Sequence, residues 1–141
     1  MKSFFDTSVL VASFLEDHEH HDASMAVFLT ASIKHGCCAA HTLAEVYSTL
    51  TRLPGKHRLS GDQAMLFLGT LRERLTIIPL DETEYYSAIS EAAAAGIVGG
   101  AIHDALLVKC AAKAKAEVIY TWNVNHFRRL GPDVARRVRT P

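Results

Sequence analysis

Short apolar runs that alternate with longer stretches of helical period constrain the fold of this chain more than any other feature. The runs KSFF (2–5), CCAA (37–40), LTIIPL (75–80) and EVIYT (117–121) have the length of buried strands, and RRVRT (136–140) is a candidate fifth. Helical patterns fill the gaps, over about residues 8–15, 20–34, 42–52, 60–73, 82–95 and 102–115. In the second of these, Ala23, Val27 and Ala31 recur every four residues, which puts them on one helix face. Strands that alternate with helices predict an α/β fold of layers around a mainly parallel sheet. No repeat, low-complexity tract or linker divides the 141 residues, so a single domain spanning 1–141 is expected.

In open parallel sheets, ligands bind in the crevice beyond the carboxyl ends of the strands. Polar residues at those ends therefore bear on function. Asp6 follows Phe4 and Phe5 and precedes Thr7 and Ser8, and capping the next helix is explanation enough for it locally. Thr42 and Glu45 match the S/T-x-x-E capping box, while Leu43, Val46, Tyr47 and Leu50 make the apolar stripe that Glu45 lies beside. Gly99 and Gly100 break the chain before a helix that carries Asp104 in its first turn, where the helix dipole favours an acid. Thr121 ends the EVIYT run and Asn123 follows, in a position that suits a turn.

Each residue has a local structural account, but their joint placement is harder to explain that way. Asp6, Glu45 and Asn123 occupy three strand-to-helix junctions that a parallel sheet brings to one edge, and Asp104 heads a fourth helix. Three carboxylates gathered there repel one another unless a cation is present. Oxygen ligands of this kind suit Mg²⁺ or Mn²⁺, ions that orient and acidify water and neutralise charge on a phosphodiester.

The quoted residues now assemble into a recognisable set. D-T-S after the first run, A-E-V-x-x-x-L after the second, G-G-x-I-x-D-A-L before an alanine-rich helix, and Y-T-W-N-x-x-H-F near the end resemble the PIN-domain ribonucleases. The nearer resemblance is to VapC-type toxins of bacterial toxin–antitoxin pairs, with the motifs in family order over essentially the whole chain. The resemblance implies a PIN-like three-layer fold and metal-dependent cleavage of RNA that leaves a 5′-phosphate and a 3′-hydroxyl. It makes Asp6, Glu45, Asp104 and Asn123 the catalytic set, with Asp6, Glu45 and Asp104 as ligands of Mg²⁺ (or Mn²⁺). The family's fourth position is often Asp. Asn123 keeps an oxygen but removes a charge, so a second metal would be held less firmly. The resemblance also implies a VapB-type antitoxin as partner, contact with DNA only indirectly through that antitoxin, and a homodimer.

Other features narrow the alternatives. Fifteen basic residues balance fifteen acidic ones, so any attraction for RNA must come from local clusters. The candidates are the loop with Arg52, Lys56, His57 and Arg58, and the C-terminal arginines 128, 129, 136, 137 and 139. EDHEHHD (16–22) lacks the H-E-x-x-H spacing of a zinc helix and reads as a solvated turn. Cys37, Cys38 and Cys110 read as buried hydrophobes in a reducing compartment. No apolar run reaches the length of a membrane span, and a cytoplasmic location is expected. A phosphatase of D-x-D-x-T/V type is disfavoured because Ser8 stands where its second Asp belongs. A catalytically inactive PIN-like module that only binds RNA or protein is the remaining alternative.

Overall fold

A computed structural model describes residues 2–141. Five strands, β1 (Ser3–Phe5), β2 (Gly36–Ala39), β3 (Thr76–Ile78), β4 (Val118–Tyr120) and β5 (Val138–Arg139), form one sheet in the order β3-β2-β1-β4-β5. Every pairing is parallel. The helices are α1 (Thr7–Phe14), α2 (His21–Thr30), α3 (Ala40–Thr51), α4 (Gly61–Arg74), α5 (Glu82–Ala94), α6 (Ala101–Lys113), α7 (Val124–Arg128) and α8 (Pro132–Arg137). No helix among the described residues is long and apolar enough to cross a membrane.

Alternation along the strands divides the core into two layers. Phe5 and Cys38 pack on one face with Leu10, Val46 and Leu71, and Phe4 and Cys37 pack on the other with Leu107, Ile119 and Phe127. Adjacent residues of one strand thus anchor opposite layers, as expected of adjacent Cys37 and Cys38. Phe4 and Phe5 are almost fully buried, and each contributes roughly 1.5–3 kcal/mol of hydrophobic stabilisation. All three cysteines are free and buried; burial pushes the Cys38 thiol up to about 12 and those of Cys37 and Cys110 up to about 11. Thiols held so far above neutrality carry little thiolate, which leaves them inert. At Gly36 a Cβ would stand 2.8 Å from Leu75 Cδ2 and 2.9 Å from Ala31 Cβ, so the start of β2 requires a residue without one.

Three local expectations need correction. The helix expected over 20–34 stops at Thr30, where Ala31 turns extended. The Thr42–Glu45 capping box does not form: α3 begins at Ala40 with no side-chain cap, and Thr42 is a fully buried residue inside it. The sequence reading also left out the short helices α7 and α8. The candidate fifth strand forms as the two residues of β5, pairing with β4.

Connections run β1 to β2 to β3 in one direction, then cross back so that β4 lies on the other side of β1. Strand order therefore reverses between β1 and β4. Their carboxyl ends define the crevice in which open α/β sheets bind ligands.

Candidate active site

Asp6 is the residue after β1, at that reversal, and is 3% exposed. It caps α1, accepting bonds from Ser8 N at 3.4 Å and Ser8 Oγ at 2.7 Å. From β4's end, Thr121 Oγ1 donates a third bond to the same oxygen at 2.8 Å. The backbone joins the two strand ends as well, through Asp6 N to Tyr120 O at 3.0 Å. The bonds from Ser8 and Thr121 all fall on Oδ2. Burial raises the Asp6 carboxyl above its ordinary value, against the lowering effect of the Ser8 and Thr121 hydroxyls. The capping reading of Asp6 therefore holds.

Glu45 approaches from α3, where Val46 and Leu50 bury the neighbouring face. In place of a Thr42 cap, Glu45 Oε1 accepts a bond from Thr7 Oγ1 at 2.9 Å. Asp104 lies in the first turn of α6, after Gly99 turns the chain at φ 61°. It receives no hydrogen bond from another described residue. Its carboxyl is raised chiefly by burial and then by the charge of Asp6, with a further rise from Glu45; His126 and His103 pull it the other way. Asn123 is the N-cap residue of α7, yet its side chain makes no capping bond. Asp6, Glu45, Asp104 and Asn123 line one cavity of about 510 Å³.

The same cavity is walled by residues whose part the sequence reading missed. His18, Glu19 and His20 line it, so the EDHEHHD stretch contributes directly to the site. His20 lies flat on Trp122, with ring centroids 3.7 Å apart and planes 9° from parallel. Trp122 is fixed in turn by Nε1 donating to Ser24 Oγ at 2.8 Å, and its backbone N–H donates to Ser8 Oγ at 3.0 Å. Ser8 thereby links α1, Asp6 and the β4 end, beyond the capping role its neighbours suggest. The only sequence signal for this wall was a Trp inside the Y-T-W-N motif.

A PIN domain model matches residues 3–131. The chain belongs to the PIN-domain family. It is 34% identical over 115 residues to Ribonuclease VapC40 of Mycobacterium tuberculosis, an alignment covering 81% of each chain. Among solved structures, VapC20 of Mycobacterium tuberculosis, described as a Sarcin-Ricin loop cleaving toxin, superposes with a TM-score of 0.72 at 13% identity, covering 89% of this chain and 92% of that one. VapBC2 from Rickettsia felis, bound to a DNA fragment from its promoter, gives a TM-score of 0.66 at 18% identity over 99% of this chain and 98% of that one. The sequence relative carries the family assignment, and the two structures carry the fold.

Whether this PIN domain's carboxylates suit a hard cation can be judged from their placement. Among the described residues, no three His, Cys, Asp or Glu side chains are grouped closely enough to hold an ion together. Mg²⁺, however, normally takes only one or two carboxylates and keeps several of its waters. A cavity lined by Asp6, Glu45, Asp104 and Asn123, with Asp104 unbonded, fits that mode. These four side chains offer oxygen donors, as Mg²⁺ or Mn²⁺ prefers over softer metals, while Glu19, His18 and His20 stand in the wall beside them.

The basic clusters divide by how they are engaged. Arg136 pairs with Asp133, Arg137 donates to Ala116 O, and Arg139 donates to Arg136 O and Val138 O. These arginines hold the C-terminal segment together. Arg58 donates to Leu53 O at 3.0 Å and shapes its own loop.

Proposed function

We propose that this chain is a metal-dependent endoribonuclease of the VapC toxin type, restrained by a VapB-type antitoxin. The observation that carries the reading is the gathering of Asp6, Glu45, Asp104 and Asn123 in one cavity at the β1/β4 reversal, in a PIN-domain chain related to a named ribonuclease. When bound, Mg²⁺ or Mn²⁺ supplies an acidified water and charge neutralisation at the phosphodiester. Asp6, Glu45 and Asp104 would hold that ion.

The remaining work falls to the chain's own side chains. Thr121 and Ser8 hold the Asp6 carboxylate through hydrogen bonds, and Thr7 holds that of Glu45. Asn123 offers an uncharged oxygen, so a second ion would be held less firmly there. No side-chain nucleophile is required, and the buried cysteines are too weakly ionised to serve as one. The antitoxin would block the acidic cavity and carry any contact with operator DNA, and the toxin would act in the cytoplasm as a homodimer.

The test is cleavage of end-labelled RNA by antitoxin-free protein with Mn²⁺, with EDTA, and after Asp104→Asn. Cleavage is expected only with both metal and Asp104, the variant losing at least about a hundredfold, the upper end of what loss of a mere supporting residue costs. Folded protein that cuts no pooled cellular RNA under any condition overturns the reading in favour of an inactive binding module.

A further inference from the structure

A second groove, of about 360 Å³, shares Glu45 and Thr49 with the acidic cavity and is lined as well by His41, Arg52 and His103. Its size lies within the roughly 300–1,000 Å³ range of small-ligand clefts. His41 comes from the first turn of α3 and His103 from the first turn of α6. Their rings lie parallel, 5° apart in plane with centroids 5.3 Å apart. This is the offset arrangement that aromatic pairs favour. His103 is exposed and His41 half-buried, and neither imidazole bonds to another described residue. Arg52 is exposed at the end of α3, and its guanidinium makes no ion pair or hydrogen bond with a described residue, as is also true of Arg72, Arg128 and Arg129; of these, Arg52 alone lines this groove.

A contact serving only to join α3 to α6 would need neither an open ring face nor an unengaged guanidinium beside it. An aromatic face with a free arginine, continuous with a phosphodiester site, matches the chemistry of an unpaired nucleotide. Unstacked RNA bases lie on aromatic side chains, His among them, while arginine takes the phosphate. We propose that this groove is a nucleotide subsite: a base of single-stranded RNA next to the scissile phosphodiester stacks on the His41–His103 pair, and Arg52 binds a flanking phosphate. The proposal rests on the nuclease reading above. It makes His41, His103 and Arg52 positioning residues that favour unpaired RNA over duplex.

The experiment uses single-stranded RNA oligonucleotides carrying 2-aminopurine at successive positions, bound to protein in an Asp104→Asn background so that binding is read without cleavage. Quenching at one position is expected, relieved by His41→Ala with a roughly tenfold weaker Kd, the scale of one base–aromatic stack. His41→Phe, which keeps the ring and loses the nitrogens, should retain the quench and most of the affinity. Arg52→Ala should weaken binding and lower the salt slope by about one. His103→Ala repeats the stacking test should His41→Ala fail to fold. Variants that fold, bind and quench like the parent, while wild-type protein still cuts RNA, overturn the subsite and leave the nuclease standing. Failure of His41→Phe to retain the quench overturns stacking as the mode of recognition. Wild-type protein that neither binds nor cuts RNA removes both readings together.

Discussion

The two halves of the acidic cavity are built differently. At the β1/β4 end, Asp6 is almost fully buried and held by two hydroxyls and a backbone N–H. At the α3/α6 end, Glu45 has one hydroxyl partner and Asp104 has none, while the like charges of Asp6 and Glu45 lie near it, opposed by His126 and His103. One half is held by several bonds from the protein, and the other is left with few. Under the proposed function, an unbonded Asp104 keeps a charge available for a cation, at some expense in stability.

The contrast can be tested from its rigid half first. Thr121→Val removes a buried hydroxyl from Asp6 and should lower cleavage roughly 10–100-fold, as loss of a supporting partner does. It should also cost about 1–3 kcal/mol of stability, the scale of a hydrogen bond to a buried acid. Denaturant unfolding and cleavage kinetics together check this; a variant with unchanged stability and rate would mean Asp6 does not depend on β4 for its position.

The loose half predicts the opposite sign. The Asp104 carboxyl is raised above its ordinary value, so its protonated form is favoured by folding. That contribution is complete below the ordinary carboxylate range and is lost as pH rises through the raised value. Near neutrality and without metal, Asp104→Asn should therefore melt above wild type, with the gap closing below about pH 4. Adding Mn²⁺ should raise the wild-type melting temperature more than the variant's, because the ion binds the folded site. Melting curves with and without metal decide it, and a variant less stable than wild type at pH 7 in EDTA would contradict the picture of an uncompensated charge.

The smallest effect is expected at Asn123, whose side chain is exposed and caps nothing. Asn123→Asp adds a fourth carboxylate and should leave cleavage intact or raise it, by less than about tenfold, with a lower metal concentration at half-maximal rate. Complete loss of cleavage would mean that its amide group, rather than its oxygen, is needed.

Sequence patterns made the parallel sheet and the four candidate residues legible because both depend on local signals: short apolar runs, glycine breaks and acids at strand ends. The signals failed where the deciding partner is remote. A spacing rule offered Thr42 as a capping partner for Glu45, yet its bond is to Thr7, from another helix. EDHEHHD read as a solvated turn because nothing within it reveals that His20 rests on Trp122, a residue from the far end of the chain. The helices α7 and α8, at 5 and 6 residues, are too short for a 3.6-residue period to register.

The pairing of β1 with β4 also sets a schedule. The Thr121 hydroxyl that fixes Asp6 is made 115 positions later. At synthesis rates of about 5–20 residues per second, the first carboxylate waits roughly 6–23 s for that partner. Asp104 and Asn123 also emerge late. A nascent chain of this topology has no complete acidic cavity until residues 104–123 have left the ribosome.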